Sequence, residues 1–158
     1  MAIQPICTQV NDTNTFKFLG NTSSLLVSGD ETDGQFAILQ MVETKGCEPP
    51  PHVHHREDES FFILEGEIEY TIGDKVYHAK PGTYLFAPRG IVHSFRLETN
   101  EAKYIVTAYP AGFDKFVKEL AVHLPGPLLP GPGLPPNPED VGLLVSTAAK
   151  YGIDILGG

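Results

Sequence analysis

The sequence predicts an all-β protein, an antiparallel sandwich or small barrel, that ends in helices. About ten short apolar runs, separated by turn residues at spacings of roughly 8–12 residues, are typical of such folds. Glycine and proline supply 16 and 14 of the 158 residues, and this excess favours many turns over long helices. Hydrophobic residues make up 41% of the chain, which is enough to bury the core of one domain.

The predicted strands differ in how they expose their two faces. Residues 67–72 place Ile68, Tyr70 and Ile72 on one side and polar residues on the other, which predicts a half-buried strand. Residues 35–42 are apolar on both faces, as in a fully buried strand. Further strands are predicted at residues 15–19, 25–28, 60–64, 75–79, 84–87, 92–97 and 103–109.

The C-terminal part changes from strand periodicity to helix periodicity. Apolar residues from Phe113 to Ala121 recur on one helix face, which predicts a helix over 112–122. Residues 1–124 therefore form the predicted barrel with its first C-terminal helix. Residues 125–158 form a proline-rich connector and a helical arm of the same domain, with Asn137 as the predicted N-cap of the second helix.

The charge balance and the apolar runs exclude two classes of partner. A net charge of −9 at pH 7 repels phosphate backbones, so we expect no nucleic-acid partner. No apolar run approaches the ~18 residues that span a bilayer, so we expect no membrane partner. The first residues lack the pattern of a signal peptide, and two lone cysteines are typical of reduced thiols, so we expect a cytoplasmic location.

Four residues form a candidate metal site. His52 and His54 share one face of a strand because side chains alternate, and Glu59 opens the next strand after a polar turn at 56–58. His93 lies on a separate strand. Three imidazoles and a carboxylate, without a thiolate, suit one divalent transition metal. The donor types leave the choice among Fe, Mn, Co, Ni and Zn open.

The segments that carry these residues resemble the two motifs of the cupin superfamily. The first segment has the full pattern Gly46-x5-His52-x-His54-x4-Glu59-x6-Gly66. The second has the pattern Gly82-x5-Pro88-x-Gly90-x2-His93, with Leu97 where the family has an asparagine that is not a metal ligand. The resemblance implies a single-domain jelly-roll barrel in which His52, His54, Glu59 and His93 hold the metal. It also implies a homodimer.

A narrower resemblance points to one activity. Residues 50–59 (PPHVHHREDE), 110–113 and 151–153 are similar to the same segments of bacterial monocupins of the quercetin 2,3-dioxygenase-like group. The resemblance implies that O2 opens a flavonol-type ring with loss of carbon monoxide. Members of this group accept different metals.

Strand alternation also predicts the surroundings of the metal. Phe61 and Ile63 share a face with Glu59, and Phe95 and Leu97 share a face with His93, so these four are expected to line a substrate pocket. Tyr70 is a candidate for a hydrogen bond to the substrate. Plain core packing explains the same five residues equally well.

The first functional hypothesis is an O2-dependent metalloenzyme for a small planar aromatic or enolisable substrate. Glu59 would be both a weak ligand and the general base that takes the hydroxyl proton, with a pKa raised by apolar neighbours such as Phe61. One alternative is a cupin that binds a small molecule without turnover. Another is a metal-dependent isomerase or lyase, which a pocket lined by lysines and arginines would favour.

Overall fold

The structure, a computed structural model, describes residues 2–157 and folds them into two antiparallel β-sheets with two C-terminal helices. This confirms the predicted all-β class with its helical end. The strands are β1 Thr15–Phe18, β2 Asn21–Val27, β3 Ala37–Thr44, β4 His52–His54, β5 Asp58–Glu65, β6 Ile68–Ile72, β7 Lys75–Ala79, β8 Tyr84–Ala87, β9 His93–Leu97, β10 Glu101–Tyr109 and β11 Ile153–Ile155. The helices are α1 Phe113–His123 and α2 Pro138–Lys150.

The two sheets enclose the core between them. One sheet has the strand order β1-β2-β3-β10-β5-β8 and the other has the order β11-β4-β9-β6-β7. Strand β6 buries Ile68 and Tyr70 completely, as its alternating sequence predicts. Strand β3 also alternates: Leu39 and Met41 are buried while Val42 is half-buried, so the prediction of a strand buried on both faces is wrong. Its outward face is only partly covered, and it carries the polar Gln40 between Ile38 and Val42.

The C-terminal arm packs back onto the barrel of its own chain. Asn137 caps α2 by accepting a hydrogen bond from the backbone N–H of Glu139 at 2.9 Å, as predicted. After α2, strand β11 pairs with β4 so that Ile153 lies beside His54 and Ile155 beside His52. The arm therefore ends next to the predicted metal ligands. Neither helix in residues 2–157 is long and apolar enough to cross a membrane.

The turn between β5 and β6 requires a glycine for two independent reasons. Gly66 has a φ of +81°, and a Cβ built on it would lie 2.8 Å from Cα of Ala102 on β10. Gly82 has a similar φ of +92° but no atom within 4 Å of its Cβ position. An alanine at Gly66 would therefore meet both backbone strain and a steric clash, whereas an alanine at Gly82 would meet backbone strain alone.

We expect Gly66→Ala to lower the free energy of unfolding by about 2–5 kcal/mol, because the clash with β10 adds to the left-handed strain. Gly82→Ala is the matched control and should cost about 1–2 kcal/mol, since it carries the strain alone. Urea unfolding of both variants measures the difference. Equal losses would show that β10 does not approach the turn as closely as the structure has it.

Candidate metal centre

The four predicted ligands meet inside the barrel. His52 and His54 lie on β4, Glu59 on β5 and His93 on β9, and one ligand atom from each lies within 4.8 Å of the others. Oε2 of Glu59 is 3.0 Å from Nε2 of His93 and 3.3 Å from Nε2 of His54. The structure therefore brings together residues from three strands, including His93, which is 34 positions beyond Glu59.

Backbone pairing explains why these side chains converge. Strand β4 pairs with β9 so that His52 lies directly opposite His93, and their ring centroids are 4.5 Å apart. His54 follows His52 by two residues and therefore points to the same side of the sheet. Glu59 reaches the cluster from the facing sheet, in which β5 pairs with β8 and β10. His54, Glu59 and His93 are at most 3% exposed.

Several buried polar atoms of the cluster lack a hydrogen-bond partner among residues 2–157. They are Nε2 of His54, Oε2 of Glu59 and Nδ1 of His93. Unpaired buried polar atoms are rare in folded proteins, because each one loses its bond to water without replacement. A metal ion bound to Nε2 of His54 and Oε2 of Glu59 would satisfy both. The donor set thus fits a divalent transition metal, and the cluster can hold one.

The outer nitrogens of the two histidines on β4 are already engaged. Nδ1 of His52 is 2.8 Å from the carbonyl oxygen of Pro50. Nδ1 of His54 is 2.8 Å from Oε1 of Glu57. These contacts leave Nε2 of each ring for the cluster, and carbonyl or carboxylate partners of this kind orient histidines that bind metals.

Sequence reasoning missed Glu57, which it placed in a polar turn. Glu57 is only 3% exposed, because its side chain folds under the loop to reach His54. Its neighbour Asp58 instead pairs with Arg89 at the surface, with Nη2 and Oδ2 3.1 Å apart. Three consecutive acidic residues do not alternate in polarity, so the sequence had no signal that separates Glu57 from Asp58.

The charges of the cluster shift its pKa values in opposite directions. Burial alone would raise the pKa of Glu59, but the facing imidazoles of His54, His93 and His52 outweigh burial and lower the pKa to about 2. The expectation that apolar neighbours raise this pKa is therefore wrong. Burial, together with the nearby His93 and His54, lowers the pKa of His52 to about 3. Burial opposes protonation of His54 too, but Glu59 and Glu57 raise its pKa overall.

The cluster opens onto a narrow apolar cavity of about 50 Å³. Of the five predicted pocket residues, the structure places Phe61 and Phe95 in the cavity wall. Tyr70 lies behind them, with ring centroids 5.2 Å from Phe61 and 5.3 Å from Phe95. Ile63 and Leu97 are fully buried in the core outside the wall. Alternation predicts which face of a strand a residue occupies, but it does not predict how far along the strand the cavity extends.

Helix α1 and the C-terminal arm supply part of the wall that sequence reasoning did not assign. Phe113 and Phe116 of α1, Leu144 of α2, and Ile153 and Ile155 of β11 all line the cavity. Through Phe113 and Phe116, helix α1 covers the barrel opening. The helix periodicity predicted an apolar face for α1 but not the surface on which it packs.

A second buried carboxylate also lies in the cavity wall. Glu43 on β3 is 1% exposed, and the hydroxyl of Tyr104 donates a hydrogen bond to its Oε1 at 2.9 Å. Its Oε2 has no partner in the described part of the chain. Burial, reinforced by the charge of Glu48, raises the pKa of Glu43 to about 8 despite the bond from Tyr104. Glu43 shares the inward face of β3 with Leu39 and Met41, so alternation could have found it.

The raised pKa of Glu43 makes the stability of the protein depend on pH. Between its unfolded value of 4.5 and its folded value of about 8, the native state keeps a proton that the unfolded chain releases. Stability therefore falls as pH rises through this window. We expect the free energy of unfolding, relative to a Glu43→Gln variant, to fall by up to ~1.4 kcal/mol per pH unit and to level off above the window.

Urea unfolding of the wild type and Glu43→Gln across this pH range measures the difference. Glu67→Gln, at an exposed position, is the control for the loss of one surface carboxyl. Parallel curves for the wild type and Glu43→Gln would contradict the burial of Glu43 as a neutral acid.

Known proteins share parts of this sequence and its fold. Residues 38–109 match the family model described as the cupin domain. Quercetin 2,3-dioxygenase of Bacillus subtilis (strain 168) is 28% identical over 106 residues, which are 67% of this chain and 32% of that protein. The chain thus spans about a third of the length of this relative.

Two solved structures share the fold. KdgF from Halomonas sp. superposes with a TM-score of 0.60 at 17% identity, over 69% of this chain and 99% of that chain. Ectoine synthase from P. lautus also has a TM-score of 0.60, at 16% identity, over 75% of this chain and 85% of that chain. The domain match, the two motifs and the paired antiparallel sheets agree, and residues 38–109 of this chain are similar to the cupin domain.

Proposed function

We propose that this protein is a metal-dependent dioxygenase of the cupin type that uses O2 to cleave an enolisable or aromatic small molecule, as in the ring cleavage of flavonols. The observation that carries the proposal is the buried cluster of three histidines and one glutamate, whose unpaired atoms face an apolar cavity. The similarity to a quercetin 2,3-dioxygenase over 67% of this chain supports the choice of reaction.

The proposed ligands of the metal are His52, His54, Glu59 and His93, which bind one divalent ion of Fe, Mn, Co, Ni or Zn. Such an ion supplies Lewis acidity, which lowers the pKa of a bound substrate hydroxyl. Glu57 orients the ring of His54 through the hydrogen bond at Nδ1. The same bond makes Nε2 a stronger electron-pair donor to the metal. Pro50 does the same for His52 through its carbonyl oxygen.

The cavity wall selects a flat apolar ligand. The aromatic rings of Phe61, Phe95 and Phe113 exclude water and offer faces on which a planar molecule can stack. In the described residues, the wall contains no lysine or arginine. Arg89 and Arg96 point elsewhere, since they pair with Asp58 and Glu69 at the surface. This lining gives no counter-charge for a phosphorylated or carboxylated substrate, and so disfavours the isomerase or lyase alternative.

Glu59 is the proposed acceptor of the substrate proton. An ionised carboxylate is a weak base compared with the deprotonated oxygen of an ordinary hydroxyl group. Proton transfer to Glu59 is therefore favourable only from a hydroxyl whose own pKa has been lowered. The base role thus requires that the substrate hydroxyl lies beside both the metal and the Glu59 carboxylate.

The small volume of the cavity restricts how a large substrate enters. A volume of about 50 Å³ is well below the ~150 Å³ of a cavity that holds benzene. A flavonol therefore requires an outward movement of the wall residues of α1 and α2, namely Phe113, Phe116 and Leu144. Small enolisable molecules such as acetylacetone require less movement.

The proposal includes a cytoplasmic homodimer. Cys7 and Cys47 are free thiols, as expected in a reducing compartment. Phe62 and Tyr84 are neighbours on the outer face of β5 and β8, and are 43% and 59% exposed. This apolar patch, on the edge strand β8 and its neighbour β5, suits contact with a second copy of the chain.

The reaction is tested by oxygen uptake after separate reconstitution with Fe, Mn, Co and Ni. Quercetin and acetylacetone serve as a large and a small enolisable substrate. We expect metal-dependent uptake together with loss of substrate absorbance for at least one of them. Protein that holds one equivalent of metal but shows no uptake contradicts the dioxygenase. Binding of either compound without uptake would instead support the cupin that binds a small molecule without turnover.

Loss of the hydrogen bond between Glu57 and His54 should weaken metal binding. We expect Glu57→Gln to lower the metal affinity about 10- to 100-fold, because Nδ1 of His54 loses its carboxylate partner. Competition with a chromophoric chelator measures the affinity. His78→Ala is the control, since His78 belongs to an exposed group with Glu69 and Glu98 away from the cavity. Equal affinities of Glu57→Gln and the wild type would remove Glu57 from the metal centre.

Substitution of the proposed base, Glu59, should lower turnover much more than it lowers metal content. We expect Glu59→Gln to reduce turnover about 100-fold or more, as is typical for the loss of a general base. Metal content at saturating metal should change far less, because three histidines remain. Steady-state oxygen uptake and elemental analysis on the same sample measure both. A proportional fall in the two quantities would assign Glu59 to metal binding only.

A further inference from the structure

The carboxyl group of Glu43 has no role in the metal centre, yet it lies in the wall of the same cavity. It is 1% exposed, one of its oxygens is bonded to the hydroxyl of Tyr104, and the other is unpaired. Burial of a carboxyl group with one unpaired oxygen costs free energy, because that oxygen loses its hydrogen bonds to water. An apolar side chain at this position would avoid that cost, since the surrounding wall is mainly apolar. A polar group of a ligand would satisfy the unpaired oxygen.

The strand register separates Glu43 from the metal centre along the cavity. Both positions pair with β10: Glu43 lies beside Ala102, whereas Glu59 lies beside Ala108. Six residues of strand correspond to about 20 Å between these backbone positions at ~3.3 Å per residue. Both side chains nevertheless line one cavity, which is otherwise mainly apolar. The cavity thus has a polar group towards each end.

We propose that Glu43, held in place by Tyr104, is a second polar binding position that takes a neutral carbonyl or hydroxyl group of the ligand. The ligand of this site then carries an enolisable oxygen for the metal, a flat apolar middle, and a neutral polar group at its far end. Glu43 would be a specificity-determining residue and Tyr104 a positioning residue.

The chemistry of Glu43 favours a neutral partner over an ionic one. With its pKa raised to about 8 by burial, the carboxyl group is protonated at neutral pH. A protonated carboxyl group donates one hydrogen bond and also accepts. Because Tyr104 donates to Oε1, the O–H of Glu43 is free to extend from Oε2 into the cavity. A carbonyl, ether or phenol oxygen accepts such a bond without bringing a charge into the apolar wall.

The first test compares flavones that differ in one hydroxyl, on protein loaded with redox-inert Zn. We expect 3,4′-dihydroxyflavone or 3,7-dihydroxyflavone to bind about 3- to 10-fold more tightly than 3-hydroxyflavone, the range for one net hydrogen bond. Glu43→Met should remove this preference. Glu43→Gln should keep most of it, because the amide also donates and accepts. If Glu43→Met still binds the dihydroxyflavones more tightly than 3-hydroxyflavone, the inference is overturned.

The first test rests on the proposed function, because it needs a flavonol to reach the metal. The second test uses acetophenone and cumene, which differ in a carbonyl group but have a similar shape and need no metal ligand. Ligand-observed NMR should show a preference of the wild type for acetophenone that Glu43→Met loses and Tyr104→Phe reduces. If flavones fail to bind while this preference holds, the proposed function fails and the inference stands.

Equal acetophenone preference in the wild type and Glu43→Met, or no acetophenone binding to the wild type, overturns the inference whatever the flavones do. Thermal unfolding of each variant verifies that it is folded. If Glu43→Met does not fold, Tyr104→Phe decides, because it keeps the ring and removes only the bond to Oε1. An unchanged preference in Tyr104→Phe then counts against the inference.

Discussion

The carboxylate of Glu59 faces three imidazoles in the interior of the barrel, and the rest of the site depends on this contact. An isolated buried carboxylate costs several kcal/mol, because it loses its hydration. Here the rings of His54 and His93 lie 3.3 Å and 3.0 Å from Oε2 and keep the group ionised. The same contact fixes the distance between the two sheets at this point, since Glu59 and the histidines come from opposite sheets.

Helix α1 and the C-terminal arm cover the barrel opening next to this cluster. Strand β11 adds to the edge of β4, and α1 and α2 place apolar side chains over the barrel opening. The arm is tied down by polar contacts of its own: Lys150 and Tyr151 both contact the carboxylate of Glu119, each at 2.6 Å. These pairs are partly exposed and contribute little stability. Burial of Leu144, Ala148 and Ile153 in the core is the stronger attachment.

The sequence was sufficient for the fold class, because strand spacing and alternation depend on local geometry. It was sufficient for the four candidate ligands because of the resemblance to the cupin motifs, since alternation alone places His93 only on a separate strand. The extent of the cavity along the strands and the pKa shifts of the buried groups were not predictable in the same way. Alternation placed Ile63 on the same face as Phe61 but could not show where the cavity ends. Counting apolar neighbours gave the wrong direction for the pKa of Glu59, because three imidazoles outweigh burial. Glu57 was missed because its burial depends on how a loop folds.

The central claim is that His52, His54, Glu59 and His93 bind one divalent metal ion inside the barrel. Anomalous diffraction at the metal edge, from crystals of protein loaded with one equivalent of Co or Ni, tests this claim most directly. We expect one strong peak within bonding distance of all four side chains. A peak at the surface group of Glu69, His78 and Glu98 instead, or no peak inside the barrel, would contradict it.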